Sequence, residues 1–282
     1  RMMYQLLKGK PVSDHIFAKF KAEVDVLLAA RRSAPVLAVL RFGTRADDVS
    51  YESSLTKAFG KIGMEVQCVV LPKDAPREEV AGTLTRLSAD NAVDGILPLL
   101  PLPADCGDLL HLLAPAKDVD GLLQEKSCYT PCTPRAVMEL LDFYRISVAQ
   151  RKAVVFGRSP QLGRPLAALL KDRGAEVAVI HSKTPEPEKI SREGELIFSA
   201  VGKPRLLTAD YLKPGQVVVD IGINPDPLAP GKLCGDLDEV AAKELSLTYT
   251  PVPGGIGAIT TAVLAEQLLH AAAERRNLCA EI

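Results

Sequence analysis

Seven short apolar runs recur along this chain with helical patterns between them: Val36–Leu40, Glu65–Leu71, Gly95–Leu99, Ala153–Phe156, Val177–Ile180, Leu196–Ala200 and Val217–Ile221. A strand covered on both faces reads as a nearly continuous apolar run, and parallel neighbours need a crossover long enough to hold a helix. The alternation therefore predicts βαβ units and parallel sheet, an α/β fold. Helices are expected at about Ser13–Ala30, Tyr51–Ile62, Arg77–Ala89, Pro134–Tyr144, Pro165–Asp172 and Ile259–Arg276. The pattern breaks over Leu100–Thr133, rich in Pro, Asp and Cys, and a nucleotide-type unit begins at about Gln150. Two α/β domains with a hinge near that point are the expectation.

The stretch Ala153–Gly163, AVVFGRSPQLG, is an apolar run, a glycine turn and a small-polar and basic segment that opens into a helix. That is the form of a strand feeding a phosphate-binding helix N-terminus, where the first N–H groups and the macrodipole face an anion. Gly157 suits the tight turn and Gly163 a close backbone approach. The next strand, VAVI, ends in His181-Ser182-Lys183-Thr184. In a doubly wound sheet that tip meets the adenosine ribose, where a carboxylate selects NAD and a basic or hydroxyl set accommodates a 2′-phosphate. No carboxylate stands there, and Arg158 lies in the turn, so the motif reads as NADP-binding. An ordinary βαβ turn without a ligand would have the same outline.

Charge and composition narrow the partners. A formal net charge of −1 gives no electrostatic case for nucleic acid or an anionic membrane. No apolar run is expected to reach membrane-spanning length, and RMMYQLLKGKPVSD lacks a signal-peptide core. The six cysteines (68, 106, 128, 132, 234 and 279) are scattered, with no second pair beside Cys128 and Cys132, so no metal site is expected and free cytoplasmic thiols are the reading.

Four further stretches stand out. In Lys117-Asp118-Val119-Asp120-Gly121 the two acids share a face in an extended frame. A carboxylate held in a cleft would suit a heterocycle with amino and N–H donors, although spacing alone favours solvated acids in a loop. Leu100-Pro101-Leu102-Pro103 is stiff enough to wall a pocket, and equally a rigid loop. In Pro131-Cys132-Thr133-Pro134 the expectation is a helix start, with Thr133 as N-cap and Pro134 at the first helical position. Thr250–Gly257, TPVPGGIG, is rigid and then permissive, fit to lie against a planar ring or to connect to the last helix. Tyr51, opening its helix, has Leu55 on the same face and Lys57 on another.

Taken together, these pieces resemble the methylenetetrahydrofolate dehydrogenase/cyclohydrolase family. The matching segments are Tyr51 in its helix, DGIL with LPLP in Asp94–Pro103, KDVDG in Lys117–Gly121, PCTP in Pro131–Pro134 and FGRSPQLGRP in Phe156–Pro165. HSKT in His181–Thr184, SAVGKP in Ser199–Pro204, VVVDIGIN in Val217–Asn224, GDL in Gly235–Leu237 and TPVPGGIG follow in family order. The resemblance implies a folate-binding catalytic domain, 1–145 plus 259–282, a Rossmann NADP-binding domain, 146–258, and a cleft between them. It implies a cytoplasmic homodimer paired through the Rossmann domains, and tetrahydrofolate derivatives as substrates. By the same resemblance Tyr51 and Asp120 are the catalytic pair, Tyr51 stacking on the pterin and Asp120 binding its amino and N–H edge. Arg158 and Ser182 would hold the 2′-phosphate, and Gly157 and Ser159 would lie in the dinucleotide turn. Ile223 and the loop with Pro251, Gly254 and Gly255 would line the nicotinamide and folate.

The departures are informative. The family carries a catalytic Lys four residues after the Tyr, and this chain has Leu55; the unbroken interval to Gly63 leaves no gap that would bring Lys57 into place. The family Gln before LPLP is Leu99 here, the segment Leu122–Tyr129 is short, Ala136 stands where Gly is usual, and Ala258-Ile259-Thr260 replaces Pro-Met-Thr. Oxidising the methylene group needs positioning above all, since the folate nitrogen supplies the push and the nicotinamide accepts. Hydrolysis of the methenyl group needs an activated water and a proton relay, work suited to a tuned Lys held by a Gln. The expectation is a dehydrogenase whose cyclohydrolase step is weak or lost. An NADP-dependent oxidoreductase on another substrate and a silent nucleotide-binding paralogue are the other two readings.

Overall fold

A computed structural model describes residues 3–30 and 33–275; Arg276 and Cys279 lie outside them. In chain order the first elements are β1 (Gln5–Leu6), α1 (Gly9–Ala29), β2 (Val36–Phe42), α2 (Ala46–Gly60), β3 (Glu65–Leu71), α3 (Arg77–Ala89) and β4 (Gly95–Pro98). A Pro-rich stretch with three 3-10 turns leads to α4 (Cys132–Phe143). Then come β5 (Lys152–Phe156), α5 (Gly163–Asp172), β6 (Glu176–Ile180), α6 (Pro187–Glu193), β7 (Leu196–Ser199) and β8 (Val217–Asp220). The chain ends in β9 (Asn224–Pro225), β10 (Leu233–Cys234), α7 (Glu239–Glu244), β11 (Thr248–Tyr249) and α8 (Ile256–Arg275).

The chain divides into two compact units. One takes His15–Cys132 and the chain from Thr261; the other takes the chain up to Asp14 and Thr133–Thr260. The first carries a parallel three-stranded sheet in the order β3-β2-β4. Its central strand is buried along almost its whole length, while the outer strand β3 alternates towards solvent, as burial on two faces and on one face dictate. Its core gathers Leu40, Leu84, Leu87, Val93, Ile96 and Leu109 among others.

The second unit carries a six-stranded parallel sheet in the order β1-β11-β8-β7-β5-β6. From β5 the chain runs outward to β6 and then returns past β5 to β7. The reversal creates a switch point at the carboxyl ends of β5 and β7, where doubly wound sheets take up ligands. The expected α/β class and Rossmann-type sheet stand. The unit bounds differ from 1–145 plus 259–282 and 146–258, for a local reason. Gln5 and Leu6 pair with Thr248 and Tyr249, so the first residues extend this sheet. The Tyr144 hydroxyl donates to Lys8 O at 2.7 Å and Arg173 Nη2 to Asp142 Oδ2 at 2.9 Å, so the segment carrying α4 belongs here too.

Five helices, α1, α2, α4, α5 and α8, start upstream of their expected positions. Helix α2 begins at Ala46, so Tyr51 lies inside it; Asp47 and Asp48 form its first turn, where the macrodipole favours acids. Helix α4 begins at Cys132, which makes Thr133 a helical residue and not the N-cap; Pro134 is still in the first turn, where a missing N–H costs nothing. Helix α8 begins at Ile256 and corrects the membrane reading. It is long and apolar enough to cross a membrane by length and composition, with 72 % of its apolar window buried inside the protein, the pattern of a core helix.

Candidate active site

In the three-stranded unit, Tyr51 sits on α2 between the faces that bury Glu52, Leu55 and Phe59 and the solvent side. The residue is 37 % exposed. Its hydroxyl is nevertheless pushed above the ordinary tyrosine range, first by burial and then by the Asp120 carboxyl and the Cys132 thiol. The side chain is thus partly open to solvent, with the Asp120 carboxyl near enough to act on its hydroxyl. Leu55, one turn along, is fully buried, Leu99 is 8 % exposed, and Lys57 is exposed. Leu99 N donates to Leu40 O at 2.9 Å, which carries the β4 pairing one residue further.

The two acids of KDVDG are not solvated. Asp118 is fully buried and accepts from Leu122 N at 2.9 Å and Leu123 N at 2.8 Å, so it folds the turn that follows. The Ser127 hydroxyl donates to Asp118 O and Cys128 N to Pro115 O, which ties down the short segment Leu122–Tyr129. Lys117 is spent on structure too: its Nζ donates to Leu87 O and Asp90 O. Asp120 alone is left for a ligand. Burial raises its carboxyl to about 6; Cys132 opposes through its thiol and backbone N–H, and Asp118 adds to the rise. Gly121 has φ +68° and lies so close to Pro131 that a Cβ would stand 2.6 Å from the Pro131 nitrogen. The chain thus doubles back and brings the start of α4 to Asp120. A half-open aromatic side chain can stack on a flat heterocycle, and a carboxylate beside it can accept from that ring's N–H edge.

In the six-stranded unit the glycine turn is built as the sequence suggests. Gly157 has φ +104°, and a Cβ on Gly163 would overlap the Gly157 carbonyl, so both positions demand glycine. Ser159 Oγ accepts from Gly163 N at 3.3 Å and opens α5. A cavity of about 490 Å³ lies at the ends of β5, β6 and β7 and brings Gly157, Arg158, Ser159 and Ser182 together with His181 and Lys203. His181 N donates to Thr184 Oγ1 at 2.9 Å and shapes the turn that presents Ser182. A second cavity, of about 180 Å³, gathers Ile223, Pro251, Gly254 and Gly255. Ile223 is 60 % exposed at its rim, an apolar side chain with no core to serve.

Two buried carboxylates, which the sequence reading did not single out, hold these loops. Asp236 Oδ2 accepts from Ser199 Oγ at 2.8 Å, Val201 N at 2.9 Å and Gly202 N at 3.3 Å; Oδ1 accepts from Lys203 N at 2.9 Å and Asn224 Nδ2 at 3.1 Å. Asp220 accepts from Gly222, Asp236 and Leu237 N–H groups. Burial pushes its carboxyl up to about 7, against the pull of those donors. The signal lay in the VVVDIGIN and GDL segments, but an acid's role as a hub follows from distant partners that no spacing reveals. Asp236→Ala would orphan five donors, and a buried unsatisfied group costs about 1–3 kcal/mol. Urea unfolding should show a loss of about 3 kcal/mol or more, together with weakened nucleotide binding. A parent-like midpoint would remove Asp236 from this role.

Among the described residues no group of three or more His, Cys, Asp or Glu is placed to hold a metal ion.

The chain is similar to known proteins over nearly its whole length. Residues 7–120 match the family model described as tetrahydrofolate dehydrogenase/cyclohydrolase, catalytic domain, and residues 131–276 its NAD(P)-binding domain. The bifunctional protein FolD of Alkaliphilus oremlandii is 37 % identical over 287 residues, 98 % of this chain and 100 % of that protein. Among solved structures, the FolD methylenetetrahydrofolate dehydrogenase/cyclohydrolase of Campylobacter jejuni superposes with a TM-score of 0.90 at 35 % identity, covering 96 % of this chain and 99 % of that one. The Trypanosoma brucei dehydrogenase-cyclohydrolase, solved with NADP and an inhibitor, gives a TM-score of 0.89 at 30 % identity, covering 97 % and 99 %.

Proposed function

We infer that this chain, which belongs to the tetrahydrofolate dehydrogenase/cyclohydrolase family, oxidises 5,10-methylenetetrahydrofolate to the methenyl form with NADP and has a weak or absent hydrolytic step. The observation that carries the second half is Leu55. It is fully buried on the same helix face as Tyr51, at the position of the family Lys, and its partner position holds the buried Leu99.

NADP fits the six-stranded unit. The cavity at the switch point, the Gly157–Gly163 contact and the basic and hydroxyl set of Arg158, Lys203 and Ser182 suit a dinucleotide with an extra phosphate. Arg158 and Ser182 would take the 2′-phosphate, and Gly157 and Ser159 the turn beside the pyrophosphate. Ile223, Pro251, Gly254 and Gly255 would give a flat apolar wall for the rings. Bound NADP would supply the hydride acceptor. In the three-stranded unit Tyr51 would stack on the pterin, and ionised Asp120 would accept from its amino and N–H edge. The chain's task is then to fix orientation, because no proton leaves the reacting carbon and the folate nitrogen's lone pair forms the new C=N bond. Hydrolysis would need a group that activates water, and at position 55 there is an alkyl side chain.

Cytoplasmic residence and a homodimer belong to the same proposal. None of the five described cysteines is in a disulfide, and among the described residues the outer edge of β6 has no partner strand, which leaves it open to a second copy. Light scattering decides the latter, a mass at the 30.3 kDa of one chain counting against it.

Calorimetric titration tests the reading. Tetrahydrofolate and NADP should both bind, NADP more tightly than NAD. Binding of NADP alone would move the chain to another substrate or to a silent nucleotide-binding paralogue, and binding of neither would overturn the reading.

A further inference from the structure

Gln267 is a buried polar side chain that the folate reading leaves unused. It lies on α8, 3 % exposed. Its Nε2 stands 2.6 Å from Val119 O, 3.1 Å from Thr130 O and 3.2 Å from Cys132 Sγ. Val119 precedes Asp120, and Thr130 and Cys132 follow it where the chain doubles back at Gly121. One amide therefore holds both strands of the turn that carries the carboxylate.

Hydrogen counting sharpens the point. A side-chain amide has two N–H hydrogens. The two carbonyls take both, so the sulfur beside Nε2 keeps its own hydrogen to donate. Cys132 Sγ is 3.4 Å from Val119 O, an oxygen already bonded to the amide. The Asp120 carboxylate also accepts from the Cys132 thiol and from its backbone N–H, and a charged acceptor outbids a neutral one.

We propose that Gln267 is a positioning residue for Asp120: by fixing Val119 O and Thr130 O, and with them the place of the neighbouring Cys132, it gives the substrate-binding carboxylate one place and one direction. The proposal rests on the reading of Asp120 as the folate acceptor. The titratable groups that face Asp120 are Asp118 from its own turn, Cys132 from α4 and Tyr51 from α2. Of these, the thiol is the donor whose place Gln267 sets, through Thr130 O and by packing 3.2 Å from its sulfur.

Kinetics on the full-length enzyme test it, with Gln267→Leu, Cys132→Ala, Cys132→Ser and Asp120→Asn measured for folate KM and kcat as a function of pH. NADP affinity serves as the check on folding. Misplacing a positioning group costs up to about a hundredfold. Gln267→Leu should raise folate KM by about ten- to a hundredfold, change kcat less, and move the KM inflection to higher pH, with NADP affinity kept. Cys132→Ala should move the inflection the same way, and Cys132→Ser, which restores a donor, should return it towards the parent. If Gln267→Leu loses NADP binding and so fails to fold, the two Cys132 variants decide. Parent-like KM and pH profile in Gln267→Leu, or no difference between the Cys132 variants, would overturn the proposal while Asp120→Asn still loses folate. A normal folate KM in Asp120→Asn would instead overturn the reading of Asp120 itself, and the role of Gln267 with it.

Discussion

Leu55→Lys combined with Leu99→Gln is expected to create methenyl hydrolysis where the parent has little. The two side chains are buried, and in the proposed reading their positions are those of an ammonium and its amide partner. An uncompensated ammonium in apolar surroundings is costly, and it sheds its proton when no partner is offered. Leu55→Lys alone should therefore lower the melting temperature and add little activity. The amide at 99 gives the ammonium an acceptor, so the double variant should recover part of that stability. General acid–base assistance contributes about 10²–10⁴-fold, and the gain in 10-formyl product should fall in that range. Two outcomes contradict the account. One is a double variant no faster than the parent. The other is a parent that already hydrolyses and loses the activity on Lys57→Ala, which would mean that the exposed Lys57 reaches the site after all.

Asp120→Asn should abolish most folate turnover and leave NADP binding intact. The substitution keeps the shape and exchanges an acceptor-only group for one that also donates, facing the ligand's donors. Hydrogen bonds to a charged group are worth about 1.5–3 kcal/mol, so the loss of two should reduce kcat/KM by about a hundredfold or more. The pH dependence gives a second signature. The carboxyl is held up at about 6, chiefly by burial. Above that value it is ionised and accepts; as pH falls through it, folate affinity should drop about tenfold per unit. Asp120→Asn should flatten that dependence. Stability should run the other way. A carboxyl whose folded value lies above its unfolded one destabilises the fold as pH rises from about 3.8 through about 6. Asp120→Asn should thus melt no lower than the parent at neutral pH. A pH-independent folate KM in the parent would take Asp120 out of the binding role.

The sequence exposes what periodicity and glycine chemistry can encode. The seven apolar runs are strands β2 to β8, each within two residues of its expected end, because burial on two faces writes itself locally. The turn at Gly157 and Gly163 is equally local. The strands β1 and β11 are two residues each and exist only because Gln5 and Leu6 reach Thr248 and Tyr249; no window along the chain contains that information. Asp47 and Asp48 look like loop residues until the helix dipole is considered. The site divides the same way. Asp118 and Asp120 are indistinguishable by spacing, yet one is consumed by the turn and the other is free for a ligand. Asp236 and Gln267 act through partners far along the chain, so their roles emerge only when the chain is folded.

The most direct test is NADP reduction by the purified protein with 5,10-methylenetetrahydrofolate, the methenyl product being followed in the same cuvette. The account predicts turnover with methenyl product accumulating, since the side chains at 55 and 99 leave hydride transfer intact and remove the hydrolytic step. Turnover in which methenyl never accumulates because 10-formyl product forms at the same rate would contradict the loss of hydrolysis. No turnover with NADP or NAD would contradict the assignment of folate oxidation altogether.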